Sequence, residues 1–185
     1  MGLVMLAVIA FVILGVGGWA IGIYNGLIRV CHNVDKAWAN IDVLLKQRRD
    51  ELPKLIETCK GYMKHERQLL EDITEARTKF LNAQSIEDKT NAENVIGRTL
   101  KSLFAVAEQY PDLKANQNFL ALQNRISGLE NEIADRREFF NESVNIYNIR
   151  IEQFPHLLFA NVMGYRRRLL LEIPKEKTED VKVQF

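Results

Sequence analysis

The sequence predicts an all-α protein, an antiparallel up-and-down bundle of long helices following one N-terminal transmembrane helix. Two observations carry that prediction. Residues 2–24, "GLVMLAVIAFVILGVGGWAIGIY", contain no charged side chain, and from Val34 onward apolar residues recur every three and four positions. A third supports them: no alternating apolar–polar run or glycine-rich hairpin turn breaks the helical period.

The N-terminal run, as a helix, is about 33 Å long, enough for a hydrocarbon core of about 30 Å. A cleaved signal peptide would carry basic residues ahead of a shorter apolar core, but only Met1 and Gly2 stand there. Cys31 follows Arg29 and Val30, so no lipid-attachment motif precedes it, and Leu6 breaks the myristoylation pattern. The expectation is an uncleaved single-pass anchor at 1–24, with the lipid bilayer as the partner of residues 2–24. Arg29, Lys36, Lys46, Arg48 and Arg49 follow it, which puts the rest of the chain in the cytoplasm by the positive-inside rule.

The expected bundle domain covers 25–171, followed by an extended or disordered tail at 172–185. The 25 basic and 24 acidic residues nearly cancel, so no overall basic field points to nucleic acid. Cys31 and Cys59, if on one helix, stand about 42 Å apart and cannot pair. Two unpaired thiols suit a reducing compartment.

Positions 38, 41, 45, 48, 52, 55, 59, 62, 66, 69, 73, 76 and 80 form a heptad seam in which Arg48 and Glu66 are the charged members. The seam keeps its phase across Pro53, which predicts one long helix to about Asn82, bent at the proline at a cost of about 3 kcal/mol. Gly61, costing about 1 kcal/mol in a helix, would mark close approach of another helix. "NAQSIEDKTNAEN" reads as a connection in which Ser85 and Asp88 can form a capping box. A second helix follows to Tyr110, with Val95 or Ile96, Leu100, Leu103 and Ala107 inward; Pro111 stops it.

"PDLKAN" reads as a tight turn, with Asn116 or Asn118 capping the third helix. Phe119, Leu122, Ile126, Leu129, Ile133, Phe140, Val144, Tyr147, Ile151 and Phe154 give its inner stripe, ending at Pro155. A short helix at about 157–170 would fold back on the bundle. It carries "GYRRR" at 164–168, read as a solvated helix end, with anionic lipid as the rival contact.

Chemistry-bearing constellations are sparse. His65-Glu66 is the one polar pair on the spine. None of the three histidines, His32, His65 and His156, has a Glu three residues before it, and Leu69 breaks H-E-x-x-H. The pair reads as structural, with an enzyme site around His65 and Glu66 as the lesser alternative. No catalytic, metal or cofactor-binding residue is assigned, and no cofactor is expected. Arg48 and Glu66 lie too far apart to pair with each other; Glu108 or Glu130 would serve Arg48, and Arg136 or Arg137 would serve Glu66. Gly18 and Gly22 form a small-xxx-small face suited to helix self-association.

Three blocks, "AWANIDVLLKQRRDELPKLIETCKGYMKHE", "AEQYPDLKANQNFLALQNRI" and "NIYNIRIEQFP", resemble the LemA family of membrane-anchored proteins. Trp38, Asp42, Arg48, Pro53, Gly61, Tyr62, His65, Glu66 and Arg77 carry the likeness in the first block. Glu108, the turn Tyr110, Pro111, Asp112, Leu113, Lys114, Ala115 and Asn116, then Asn141, Tyr147, Asn148, Phe154 and Pro155 carry it later. Gln47, Arg49 and Glu51 depart from the usual residues. The resemblance implies a membrane helix followed by a helical bundle, with no established enzymatic activity. Family genes often neighbour membrane metalloproteases, which implies such a protease as a candidate partner. The expected function is a non-enzymatic membrane scaffold or adaptor that binds an unidentified protein; the alternative is a homo-oligomeric organiser of the envelope. The tail end "VKVQF" alternates apolar and polar residues and would suit strand addition to a partner sheet.

Overall fold

The computed structural model describes residues 1–171, and every regular element among them is a helix: α1 (Gly2–Lys60), α2 (Arg67–Asn82), α3 (Ile86–Ala107), α4 (Pro111–Lys114), α5 (Gln117–Glu152) and α6 (His156–Val162). The tail expected at 172–185 lies outside the described residues. The apolar N-terminal stretch belongs to α1, long and apolar enough to cross a membrane, and among the described residues nothing buries its most apolar part. The chain condenses into two compact units, Met1–Ala39 with Arg137–Phe185, and Asn40–Arg136.

In the unit Asn40–Arg136, Ile41, Leu45, Leu52, Leu55 and Cys59 of α1 are buried at the predicted spacing. The helix runs through Pro53. The proline deletes one backbone hydrogen bond on an exposed face, while buried Leu52, Leu55 and Ile56 on either side hold the helix in place. The predicted single helix to Asn82 is therefore corrected. The interruption falls at residues 61–66, where the Tyr62 and Met63 amides both donate to the Cys59 carbonyl and close the last turn. Gly61 stands at that exposed turn, and a Cβ there would meet only the Thr58 carbonyl, at 3.9 Å. It marks a helix end, not a close helix approach. Past the break the seam slips by one: Met63 and Leu70 are buried where Tyr62 and Leu69 were expected, and Ile73, Ala76 and Phe80 resume the pattern.

Ser85 caps α3, its hydroxyl accepting from the Asp88 amide at 3.0 Å and donating to the Asp88 carboxylate at 2.7 Å. A connection of three residues between helices packed side by side makes α2 and α3 a hairpin of opposed directions. Asp42 meets Lys89 and Arg48 meets Glu93, so α1 and α3 run the same way. Asn116 meets Tyr62 while Arg125 meets Gln47, so α5 runs the other way along α1. Phe104 packs edge-on against Phe119 between α3 and α5.

In the other unit, Leu27 and Val34 of α1 and Phe140, Val144, Tyr147 and Ile151 of α5 form the core. Trp38 packs edge-on against Phe140 with centroids 6.0 Å apart. The stripe predicted for α5 holds here except at its end, where Phe154 is exposed. The helix expected at 157–170 is shorter. α6 stops at Val162 in a Schellman-type turn, with the Tyr165 amide bonded to the Ala160 carbonyl and the Gly164 amide to Asn161. Gly164 takes φ 69°, a left-handed value that favours glycine. Residues 165–171 then run as a non-helical strap.

Candidate functional site

Three polar devices hold the described residues, and each falls within one unit. The first is the seam pair. Arg48, 3 % exposed, is bonded through Nη2 to Oε1 of Glu93, 1 % exposed, and Glu130 approaches the same guanidinium at 4.0 Å. Beside it, Asp42 accepts from Lys46 at 2.7 Å and from Lys89 at 2.8 Å. Burial alone would raise the Asp42 carboxyl, but the two lysines outweigh it and hold its pKa below the ordinary value.

Of the partners expected for Arg48, Glu130 is only peripheral and Glu108 is elsewhere, bonded to Lys114. Sequence reasoning missed Glu93 because it treated "NAEN" as connection. The signal was present: Glu93 lies three residues before Ile96, and positions 93, 96, 100, 103 and 107 form the buried α3 seam. A charged gap in one seam faces a charged gap in the next. Of the two α5 arginines offered for Glu66, Arg137 is buried and Arg136 is exposed.

The second device clasps the two turns at the end of α1 and the start of α5. The Asn116 amide donates to the Tyr62 hydroxyl at 3.0 Å, and the Tyr110 hydroxyl lies 3.4 Å from the Glu66 carboxylate. Burial first, then the Glu66 charge, raises the Tyr110 pKa. Glu66 thus faces a tyrosine, not the arginine expected of it. Within the motif turn, Tyr110 precedes Pro111 at the first helical position, and Leu113 is fully buried. Asn116 caps α5, accepting from the amides of Asn118 and Phe119. Asp112 sits in the first turn of α4, Lys114 binds Glu108, and Ala115 caps the turn. His65 is exposed.

The third device was invisible in the periodicity. Asn148 donates to the Arg168 carbonyl and accepts from the Arg168 amide, both at 2.9 Å. Asn141 does the same to Leu171, at 2.9 and 2.8 Å. Two α5 turns separate the asparagines by about 10.5 Å, and three extended residues span about 10 Å. Helix and strap therefore match in register, and each side-chain amide replaces a neighbouring strand. Tyr147 adds a bond to the Arg166 carbonyl, and Arg168 stacks over the Tyr147 ring at 5.3 Å while holding Asp35 at 2.5 Å and Cys31 at 3.3 Å. The basic run 164–168 is thus largely strap, not a helix end.

Beside the α1–α2 break lies an open groove of about 770 Å³. Ile56, Met63 and Leu70 supply apolar lining, with Lys60, Lys64 and Arg67 and with Glu71 and Glu75 as charged lining. Gly18 and Gly22 of α1 both face open space. Among the described residues no group of three or more His, Cys, Asp or Glu is placed to hold a metal ion. Cys31 and Cys59 are free thiols, and burial pushes Cys59 up to about 11.

The fold and these devices define a helical protein with a candidate membrane span and with structural polar contacts inside each unit. Residues 37–185 match the LemA family, and the chain belongs to that family. It is 30 % identical over 139 residues to Protein LemA of Metamycoplasma hominis, covering 72 % of this chain and 62 % of that protein. It is 33 % identical over 76 residues to Magnetosome protein MamQ 2 of Paramagnetospirillum magneticum, and 32 % identical over 76 residues to Magnetosome protein MamQ of Magnetospirillum gryphiswaldense. Each of those two matches covers 41 % of this chain and 28 % of the relative. The chain thus spans under two thirds of the length of these relatives, and none of their names states a reaction.

Proposed function

We propose that the protein is a non-enzymatic membrane-anchored scaffold, held by residues 2–24 with its bundle in the cytoplasm, that binds a protein partner. The observation that carries the reading is the groove at the α1–α2 break, built on the same helix that supplies the candidate span. Ile56, Met63 and Leu70 lie buried at its floor, and its rim carries charges of both signs, Lys60, Lys64 and Arg67 with Glu71 and Glu75, which suit a peptide of mixed charge. The polar residues of the bundle have structural partners: Arg48 with Glu93, Glu66 with Tyr110, and Asn116 with Tyr62. The family resemblance adds a membrane protease as the first partner class to test.

The test is photo-crosslinking in native membranes from a benzophenone amino acid at Gln68 or Thr74, with exposed Glu132 as the control. The reading expects a discrete protein adduct from 68 or 74 and none from 132. No adduct from either groove position, or the same adducts from all three, contradicts it. A homo-oligomeric organiser is the second reading, favoured by the uncovered Gly18 and Gly22 face. Mass measurement in a lipid nanodisc separates the two, since a strict monomer removes the second.

A further inference from the structure

Within the unit that contains the candidate span, α5 leads the chain back toward the end of that span. Trp38 pairs with Phe140, and Arg168 bridges Cys31 and Asp35 to the Tyr147 ring, so rising numbers on α5 meet falling numbers on α1. About 18 Å further along each helix, Glu152, the last residue of α5, comes level with Gly26, just past the apolar run. Two observations agree. Ile23, inside the apolar run, is only 6 % exposed. The Tyr165 ring packs against Tyr147 with centroids 6.1 Å apart, and Arg168, stacked on that same Tyr147 ring, reaches Cys31, seven residues past the run.

The corner formed by the end of α5, α6 and residue 165 thus sits where the candidate span ends, and its outer surface is apolar. Phe154, Leu158 and Val162 recur every four residues and are 78 %, 56 % and 91 % exposed. Leu158 and Val162 therefore share one face of α6. Arg166 and Arg167 follow directly and are exposed, the latter 3.3 Å from Glu152, and Arg29 is exposed on α1 just past the span. Apolar side chains next to a rim of arginine, at the end of a span, match the interface of an anionic bilayer.

We propose that this corner is a second membrane contact: Phe154, Leu158 and Val162 enter the bilayer interface while Arg166 and Arg167 meet anionic headgroups. The proposal rests on the anchoring part of the reading above. It would fix the tilt of α1, which a single span leaves to its neighbours.

The experiment uses the full chain in nanodiscs containing phosphatidylglycerol. Cys31 and Cys59 are replaced by alanine, and a nitroxide is placed singly at Leu158→Cys, Val162→Cys, Val12→Cys or Thr78→Cys. Collisions with a water-soluble nickel chelate and with lipid-dissolved oxygen are measured. The proposal expects nickel collisions to be lost at 158 and 162, as at 12, with oxygen collisions retained, while 78 stays open to nickel. Nickel access at 158 and 162 equal to that at 78, with 12 protected, overturns the proposal and leaves the anchor standing. Nickel access at 12 removes the anchor and the proposal with it. Protection at 158 and 162 from both probes means that protein covers the corner, and also overturns it.

Discussion

The two units are held by different means. In Asn40–Arg136 the specific contact is side chain to side chain, a buried Arg48–Glu93 pair closing a gap between two apolar seams. In the unit that includes residues 137–171 it is side chain to backbone, with Asn141 and Asn148 reading the amide and carbonyl of Leu171 and Arg168. The first selects a partner residue by charge. The second selects an extended conformation through backbone groups, with the Arg168 side chain adding contacts to Tyr147, Asp35 and Cys31. Buried polar groups are costly without partners, and each device supplies one, but they should fail differently when one partner is removed.

The largest effect is expected at the seam. Glu93→Ala removes the buried carboxylate bonded to the Arg48 guanidinium, leaving Glu130 at 4.0 Å, and should cost about 3 kcal/mol of global stability, read by denaturant unfolding. The double change Arg48→Met with Glu93→Leu removes both charges and should restore most of that loss. If the double variant is as unstable as the single one, the pair does more than fill a seam gap.

At the clasp, Asn148→Ala leaves the Arg168 amide and carbonyl without their partner, at about 1–3 kcal/mol. The effect should be local. Amide exchange should speed up at 165–171 while protection in α3 is unchanged, and equal acceleration in α3 would erase the contrast between the units. Gly164→Ala forces a Cβ onto the left-handed turn that launches the strap and should cost about 1–2 kcal/mol.

A smaller effect comes from pH. The Asp42 pKa is lowered in the folded state, so its contribution to stability is present above pH 3.8, the ordinary carboxyl value, and is lost as pH falls through its lowered value. Asp42→Asn should flatten that acid limb, and an unchanged limb would show that the lysine contacts do not stabilise the ionised form. The smallest effect is stabilising. Gly128 is exposed in mid-α5 with open space around it, so Gly128→Ala should add up to about 1 kcal/mol.

How far these devices were legible follows from their physics. The helical class, the N-terminal apolar helix, the Ser85 and Asn116 caps and the stop at Pro111 all rest on local period or local hydrogen bonding, which a sequence displays. The break at 61–66 did not register because a slip of one residue leaves Leu69 next to Leu70, and either fits an apolar pattern. Glu93 was obscured by its charge, although the spacing to Ile96 held the clue. The strap has no periodicity, and its partners are asparagines, whose role depends on what lies opposite them. Asn141 and Asn148 stood out through family likeness alone, Tyr147 also through its place on the inner stripe, and their shared task emerges only when residues 166–171 lie beside them.

The most direct measurement of the central claim is sidedness in carbonate-washed membranes. A single reporter, Glu132→Cys, is placed with Cys31→Ala and Cys59→Ala and treated with an impermeant maleimide in sealed right-side-out or inverted vesicles. A cytoplasmic bundle on a single anchor predicts that the protein survives the wash and labels only in inverted vesicles. Loss of the protein in the wash, or labelling of right-side-out vesicles, would contradict it.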